Sequence, residues 1–81
     1  MQLRYFASLR EQLACSEETL NSNAETIEAL LNELAQRGDL WTSLLRDNAR
    51  LQIAVNQAIA RRNTTIKCDD EIAFFPPVTG G

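Results

Sequence analysis

Apolar positions along this chain fall into two rhythms. Across Leu3 to Ala7 they alternate, with Leu3, Tyr5 and Ala7 on one side and Arg4 and Phe6 on the other, which predicts a strand. From Ile27 the period lengthens. Ile27, Leu30, Leu31, Leu34 and Ala35 stand at i, i+3, i+4, i+7 and i+8, so one face of a helix is apolar while Glu28, Asn32, Glu33 and Gln36 face water. Asn23 or Thr26 can cap its start, Arg37 complements its C-terminal dipole, and Gly38 can take a left-handed conformation that ends it. Alternation returns at Leu51–Val55, turns through Asn56-Gln57 into Ala58–Ala60, and appears again at Ile72–Phe75, where Pro76-Pro77 must stop the ladder. Three weaker signals complete the pattern. Ser8 and Glu11 have the spacing of a capping box before a short helix Leu9–Leu13. Glu17–Leu20 reads as a strand ended by Asn21-Ser22-Asn23. Asp39 can cap a second short helix that tucks Leu40, Trp41, Leu44 and Leu45 under the core.

Two strands, a long helix and three strands cannot wind an all-parallel sheet, because only one long crossover helix is available. The order predicts an α+β domain, a mixed five-stranded sheet with one main helix across one face and short extra helices. This is the β-grasp, or ubiquitin-like, architecture. It occupies residues 1–75 and leaves 76–81 as an extended tail. The other sheet face stays uncovered, so Phe6 and Phe75, both pointing away from the helix, are expected to be exposed together.

Composition narrows the chemistry. A chain of 81 residues buries only roughly 60–65% of its unfolded surface, which supports one small core and excludes a second domain. With 44% hydrophobic and 23% charged residues it is globular rather than disordered. Eight basic against eleven acidic residues give a net charge of −3, and no basic cluster is present to hold nucleic acid. No apolar run approaches about 18 residues, and Arg4 and Arg10 interrupt the N-terminus, so neither a membrane span nor a signal peptide is expected. Cys15 and Cys68 are too few and too far apart for a disulfide framework or a CxxC. They fit buried, inert thiols in a reducing, cytoplasmic setting. Histidine is absent altogether, and with it the usual general base and the commonest metal ligand. The chain should bind no metal and should not catalyse a reaction alone.

The remaining candidate chemistry lies in the tail. Pro76-Pro77 stiffens the exit from the sheet, and Val78 to Gly81 can reach roughly 13 Å at about 3.3 Å per residue. Gly80 and Gly81 carry no side chain, so the backbone can pass a constriction that a Cβ would block. A terminal carboxylate is a poor electrophile until another enzyme turns it into an acyl-adenylate, from which a sulfur nucleophile can displace AMP. The resulting thiocarboxylate ionises more readily than an ordinary thiol and needs no adjacent base.

The last eight residues, Phe74-Phe75-Pro76-Pro77-Val78-Thr79-Gly80-Gly81, strongly resemble the ending of the sulfur-carrier subunits of molybdopterin synthase. The similarity continues in Phe6-Ala7 with Arg10-Glu11, Glu28-Ala29-Leu30, Ala54-Val55-Asn56-Gln57 and Asp70-Glu71-Ile72-Ala73. It spans nearly the whole chain, more loosely over residues 15–23 and 37–50. Asp69 departs from it, standing where the family often has glycine, although Asp tolerates left-handed geometry. The resemblance implies a β-grasp fold and a heterotetramer with a large subunit. It implies that an E1-like adenylyltransferase uses ATP on the C-terminal glycine, that a sulfur donor supplies the sulfur, and that no cofactor is bound. The thiocarboxylate then converts cyclic pyranopterin monophosphate to the dithiolene of molybdopterin. By position, Gly81 holds the sulfur, and Gly80, Thr79, Val78, Pro77 and Pro76 occupy the channel. Phe75, Phe6, Arg10 and Ile59 meet the partner. Two other readings use the same features: a carrier for another pathway, such as thiamin synthesis, or a protein modifier; and an adaptor that binds through the open sheet with an idle tail.

Overall fold

A computed structural model describes residues 1–77. Five strands form one sheet, β1 (Gln2–Tyr5), β2 (Glu17–Thr19), β3 (Gln52–Val55), β4 (Ala58–Ala60) and β5 (Glu71–Phe75), in the order β2-β1-β5-β3-β4. β1 and β5 are parallel, with Leu3 beside Ile72 and Tyr5 beside Phe74, and every other pairing is antiparallel. The mixed five-stranded β-grasp sheet predicted from the sequence is therefore the one observed.

The main helix, α2 (Ile27–Ala35), lies where the apolar stripe put it, and Ile27, Leu30, Leu31 and Leu34 are all buried. Burial of each such side chain contributes about 1.5–3 kcal/mol, so this face supplies much of the driving force for folding. Thr26 Oγ1 accepts the Ala29 N–H at 3.2 Å, while the carbonyls of Thr64 and Arg62 accept the N–H groups of Ile27 and Glu28. Leu3, Tyr5, Ile53, Ile72 and Phe74 meet the helix from the sheet, and Leu9, Leu13, Leu45 and Ile66 close the sides.

Several local expectations are corrected. β1 stops at Tyr5, and Ala7 does not continue it: Ala7 adopts φ 52° and opens α1 (Ala7–Leu13). Because the chain reverses at Phe6, Ser8 lies inside the first turn and makes no cap; the capping box is not formed. At the other end Ala14 is left-handed (φ 53°), with the Ala14 and Cys15 N–H groups returning to the Glu11 and Arg10 carbonyls, a Schellman closure built on alanine instead of glycine. Gly38 does not take the left-handed helical conformation. It sits at φ 139°, ψ 179° in the cap position of α3 (Asp39–Trp41), a backbone state open to glycine, so Asp39 is not the cap. Leu40 is 49% exposed and not under the core. A π-helical turn, Thr42–Arg46, follows, and Arg62 grips its end by donating to the carbonyls of Arg46 (2.8 Å), Asn48 (2.8 Å) and Leu45 (3.3 Å).

One ionic knot ties the edge of the sheet to the helices. Tyr5 is buried, and its hydroxyl donates to Glu18 Oε2 at 2.8 Å. Arg37 donates to both oxygens of the same carboxylate at 2.7 Å, and its guanidinium lies 4.5 Å from the Trp41 ring, which stands edge-on to Tyr5. Arg37 thus serves a residue of β2 and not the dipole of α2. Its hydrogen bonds hold the Glu18 carboxyl below its ordinary value, with a smaller contribution from Tyr5, whereas burial drives the Tyr5 phenol far up and keeps it neutral.

Two measurements check these points. Ala14→Gly should raise stability by about 0.5–1 kcal/mol, because glycine removes the left-handed penalty at a cost in unfolded-chain entropy; urea unfolding should show a higher midpoint at unchanged slope. Since the folded Glu18 pKa lies below the unfolded value of about 4.3, its contribution is fully present above that pH and is lost as pH falls through the lower, folded value. Glu18→Gln should cost about 1 kcal/mol at pH 7, and the gap from the wild type should close on acidification.

Candidate functional site

The tail leaves the sheet where β1 and β5 end side by side. Alternation places Tyr5 and Phe74 in the core, so the residue after each, Phe6 and Phe75, turns to the opposite face. Their rings stack, with centroids 4.6 Å apart and planes 9° from parallel. The expected pair is present, though each ring covers part of the other and both are half-buried. The Phe6 N–H donates to the Phe74 carbonyl at 3.1 Å, which extends the parallel ladder by one bond. Pro76 and Pro77 follow, half-buried and outside any strand, and neither has an N–H to give. Val78, Thr79, Gly80 and Gly81 lie outside the described residues.

Beside this root the open face is flat and small-featured. Register aligns Ile59, Ala54, Ala73, Arg4 and Glu17 in a row across all five strands. Two alanines make the floor of that row. Ile59 stands 89% exposed at one edge, and at the other Arg4 lies 3.6 Å from Glu71 and 4.0 Å from Glu17. Arg10 is exposed on α1, four residues on from Phe6, and the sheet does not bring it into the row. Of the four partner-facing residues expected, the fold therefore stacks two, places Ile59 on the same face, and sets Arg10 on an adjoining helix. The row of Arg4, Ala54 and Ala73 was not singled out in the sequence. Strand alternation gives its face, and only the pairing register gives its alignment.

The polar groups near the root of β5 are structural. Asp70 accepts from Asn56 Nδ2 (3.0 Å) and from the Lys67 N–H (2.8 Å), which hold its carboxyl below the ordinary range. Asn56 and Gln57 take φ of 50° and 71°, a type I′ hairpin turn made without glycine. Asp69 is not left-handed, so the turn needs no glycine there either. Both cysteines are free, but only Cys15 is half-buried; Cys68 is exposed, contrary to the expectation of two buried thiols. Burial, followed by the Glu18 charge, pushes the Cys15 thiol up, away from the thiolate form. Among the described residues no group of three or more Cys, Asp or Glu side chains is placed to hold a metal, and no helix is long and apolar enough to cross a membrane.

Comparison with known proteins bears on the same features. The ThiS family model matches residues 3–81. Over 77 residues the chain is 42% identical to the molybdopterin synthase sulfur carrier subunit of Haemophilus influenzae, covering 95% of this chain and 94% of that protein. It is 38% identical over 77 residues to the subunit of the same name in Escherichia coli, with the same shares covered, 95% and 94%. Among solved structures, small archaeal modifier protein 1 of H. volcanii shares the fold at a TM-score of 0.79 and 23% identity, covering 96% of this chain and 97% of that one. A chain in the Helicobacter pylori complex of subunits 1 and 2 of molybdopterin-converting factor matches with a TM-score of 0.65 and 25% identity, covering 99% and 96%.

Proposed function

The chain belongs to the family of ThiS proteins and molybdopterin synthase sulfur carrier subunits, and from that premise we propose that it carries sulfur on Gly81 for molybdopterin synthesis. The supporting observation is the tail root: a diproline leaving the sheet beside stacked aromatics, in a chain whose sequence continues to Gly80-Gly81 and contains no histidine. A group that is activated elsewhere needs no base of its own.

In this reading an E1-like adenylyltransferase joins the Gly81 carboxylate to the α-phosphate of ATP and releases pyrophosphate. The sulfur donor's persulfide then displaces AMP to give an acyl disulfide, and a thiolate of the donor or activating enzyme attacks the donor-side sulfur of that bond, leaving the thiocarboxylate on Gly81 and a disulfide on the enzyme. The large subunit of a heterotetramer, in the cytoplasm, receives the tail, and its active site directs the sulfur onto cyclic pyranopterin monophosphate. Gly80 lets the backbone through the channel, while Thr79, Val78, Pro77 and Pro76 fill its entry. Phe75, Phe6, Ile59 and Arg10 seat the globule against the partner. The alanine floor lets a partner surface approach the sheet backbone closely, and Arg4 with its two glutamates forms a polar rim.

Incubation with the activating enzyme, ATP and a sulfur donor should raise the intact mass by one oxygen-to-sulfur exchange at the C-terminus. Deletion of Gly81 should abolish sulfur transfer yet leave binding to the large subunit in place. Isopeptide conjugates on lysines of other proteins, without that exchange, would move the reading to protein modification. Ile59→Ala should change folding stability by less than about 0.5 kcal/mol, since the side chain is solvated, but weaken the complex by about 1–2 kcal/mol in titration calorimetry.

A further inference from the structure

The reversal at Phe6-Ala7 is held in a conformation that the fold has no local reason to prefer. Ala7 is exposed and left-handed at φ 52°, although it bears a Cβ, and the helix it opens has no side-chain cap. Its methyl sits on an exposed residue. The dihedral is held from both sides: the Phe6 N–H is bonded to Phe74, and the Leu9 N–H returns to the Phe6 carbonyl at 3.1 Å while the Leu9 side chain is buried. Backbone strain of this kind persists only where its surroundings over-determine it, and it concentrates at functional sites.

What the reversal achieves is the placement of one ring. With Phe6 extended at φ −116°, ψ 154°, its ring lies flat on that of Phe75. Phe75 is the last residue of β5, and beyond it two prolines offer no N–H to the ladder. The heading of the chain after the sheet therefore depends on Phe75 itself. Its backbone is already restricted by the proline that follows, and its side chain is restricted by Phe6.

We propose that Phe6 is a positioning residue, a splint clamped by left-handed Ala7 that fixes Phe75 and so sets the direction in which Pro76 and Pro77 lead the chain off the sheet. The functional consequence rests on the sulfur-carrier reading; the geometric claim does not. Phe6 acts through Phe75. A small rotation at Phe75 is carried along the stiff diproline and turns the heading of Pro76 and Pro77, and misplacement of a reacting group by about 1 Å can cost a hundredfold in rate.

The test uses Phe6→Leu, which keeps apolar bulk and loses the flat stack; Phe6→Tyr, which keeps the ring; and Ala7→Gly, which releases the clamp. In the free protein, Cα–Hα residual dipolar couplings of Phe75, Pro76 and Pro77 should move in Phe6→Leu and Ala7→Gly and stay at wild-type values in Phe6→Tyr. Single-turnover sulfur transfer from preformed thiocarboxylate, at saturating large subunit, should slow on the order of tenfold or more in the first two and recover in Phe6→Tyr. Ala7→Gly should do this while raising the unfolding midpoint, an outcome that simple loss of structure cannot give. Unchanged couplings in both variants would overturn the proposal, as would a wild-type rate at saturation. If the wild type transfers no sulfur at all, the functional reading fails, and the couplings still decide the splint.

Discussion

The parallel pairing of β1 with β5 is the constraint on which the rest of this structure depends. Residues from the two ends of the sequence are locked side by side at the centre of the sheet, Leu3 against Ile72 and Tyr5 against Phe74. Because the strands run the same way, they finish at the same edge of the domain. The next residue of each must leave at the same place, which is why Phe6 and Phe75 meet. An antiparallel arrangement would have sent the exit of β5 to the far side, away from any partner surface built on α1.

The two faces of the sheet then divide the work. The helix-covered face holds nearly all the large apolar side chains, and the buried Tyr5 hydroxyl there is satisfied by Glu18, itself held by Arg37. That side is closed, with its ionisable groups engaged in structural bonds. The other face carries alanines where a core would carry leucines, with Ile59 left in water. In the reading proposed above, the large subunit covers this flat, half-apolar face for part of the molecule's working life. In the sulfur-carrier reading proposed above, reactivity is exported to the tail, and the globule serves to present it.

Much of this was legible in the sequence because it rests on periodicity. The stripe from Ile27 to Ala35 gave α2 its bounds, and simple alternation put Tyr5 and Phe74 inside and Phe6 and Phe75 outside. What was not legible depends on distant partners or on unusual dihedrals. Arg37 looked like a dipole complement, and only the proximity of β2 reveals Glu18 as its partner. Left-handed alanines at 7 and 14 carry no compositional signal, since glycine or asparagine is the residue that normally marks such a site. Leu40 looked like core because a three-residue helix has too few turns for its apolar face to be read from spacing. The row from Ile59 to Glu17 needed the strand register, which no local pattern encodes.

The place of β5 in the middle of the sheet has a consequence for how the molecule comes into being. A ribosome delivers β1 with β2 first and β3 with β4 later, as two hairpin halves with nothing between them, and the strand that joins them arrives after both. Until it inserts, Leu3 and Ile53 have no neighbour across the gap, and the lower face of α2 stays wet. Closure of the sheet thus waits on the last strand to be made and joins residues from almost opposite ends of the chain, the kind of non-local pairing that folds more slowly than local contacts.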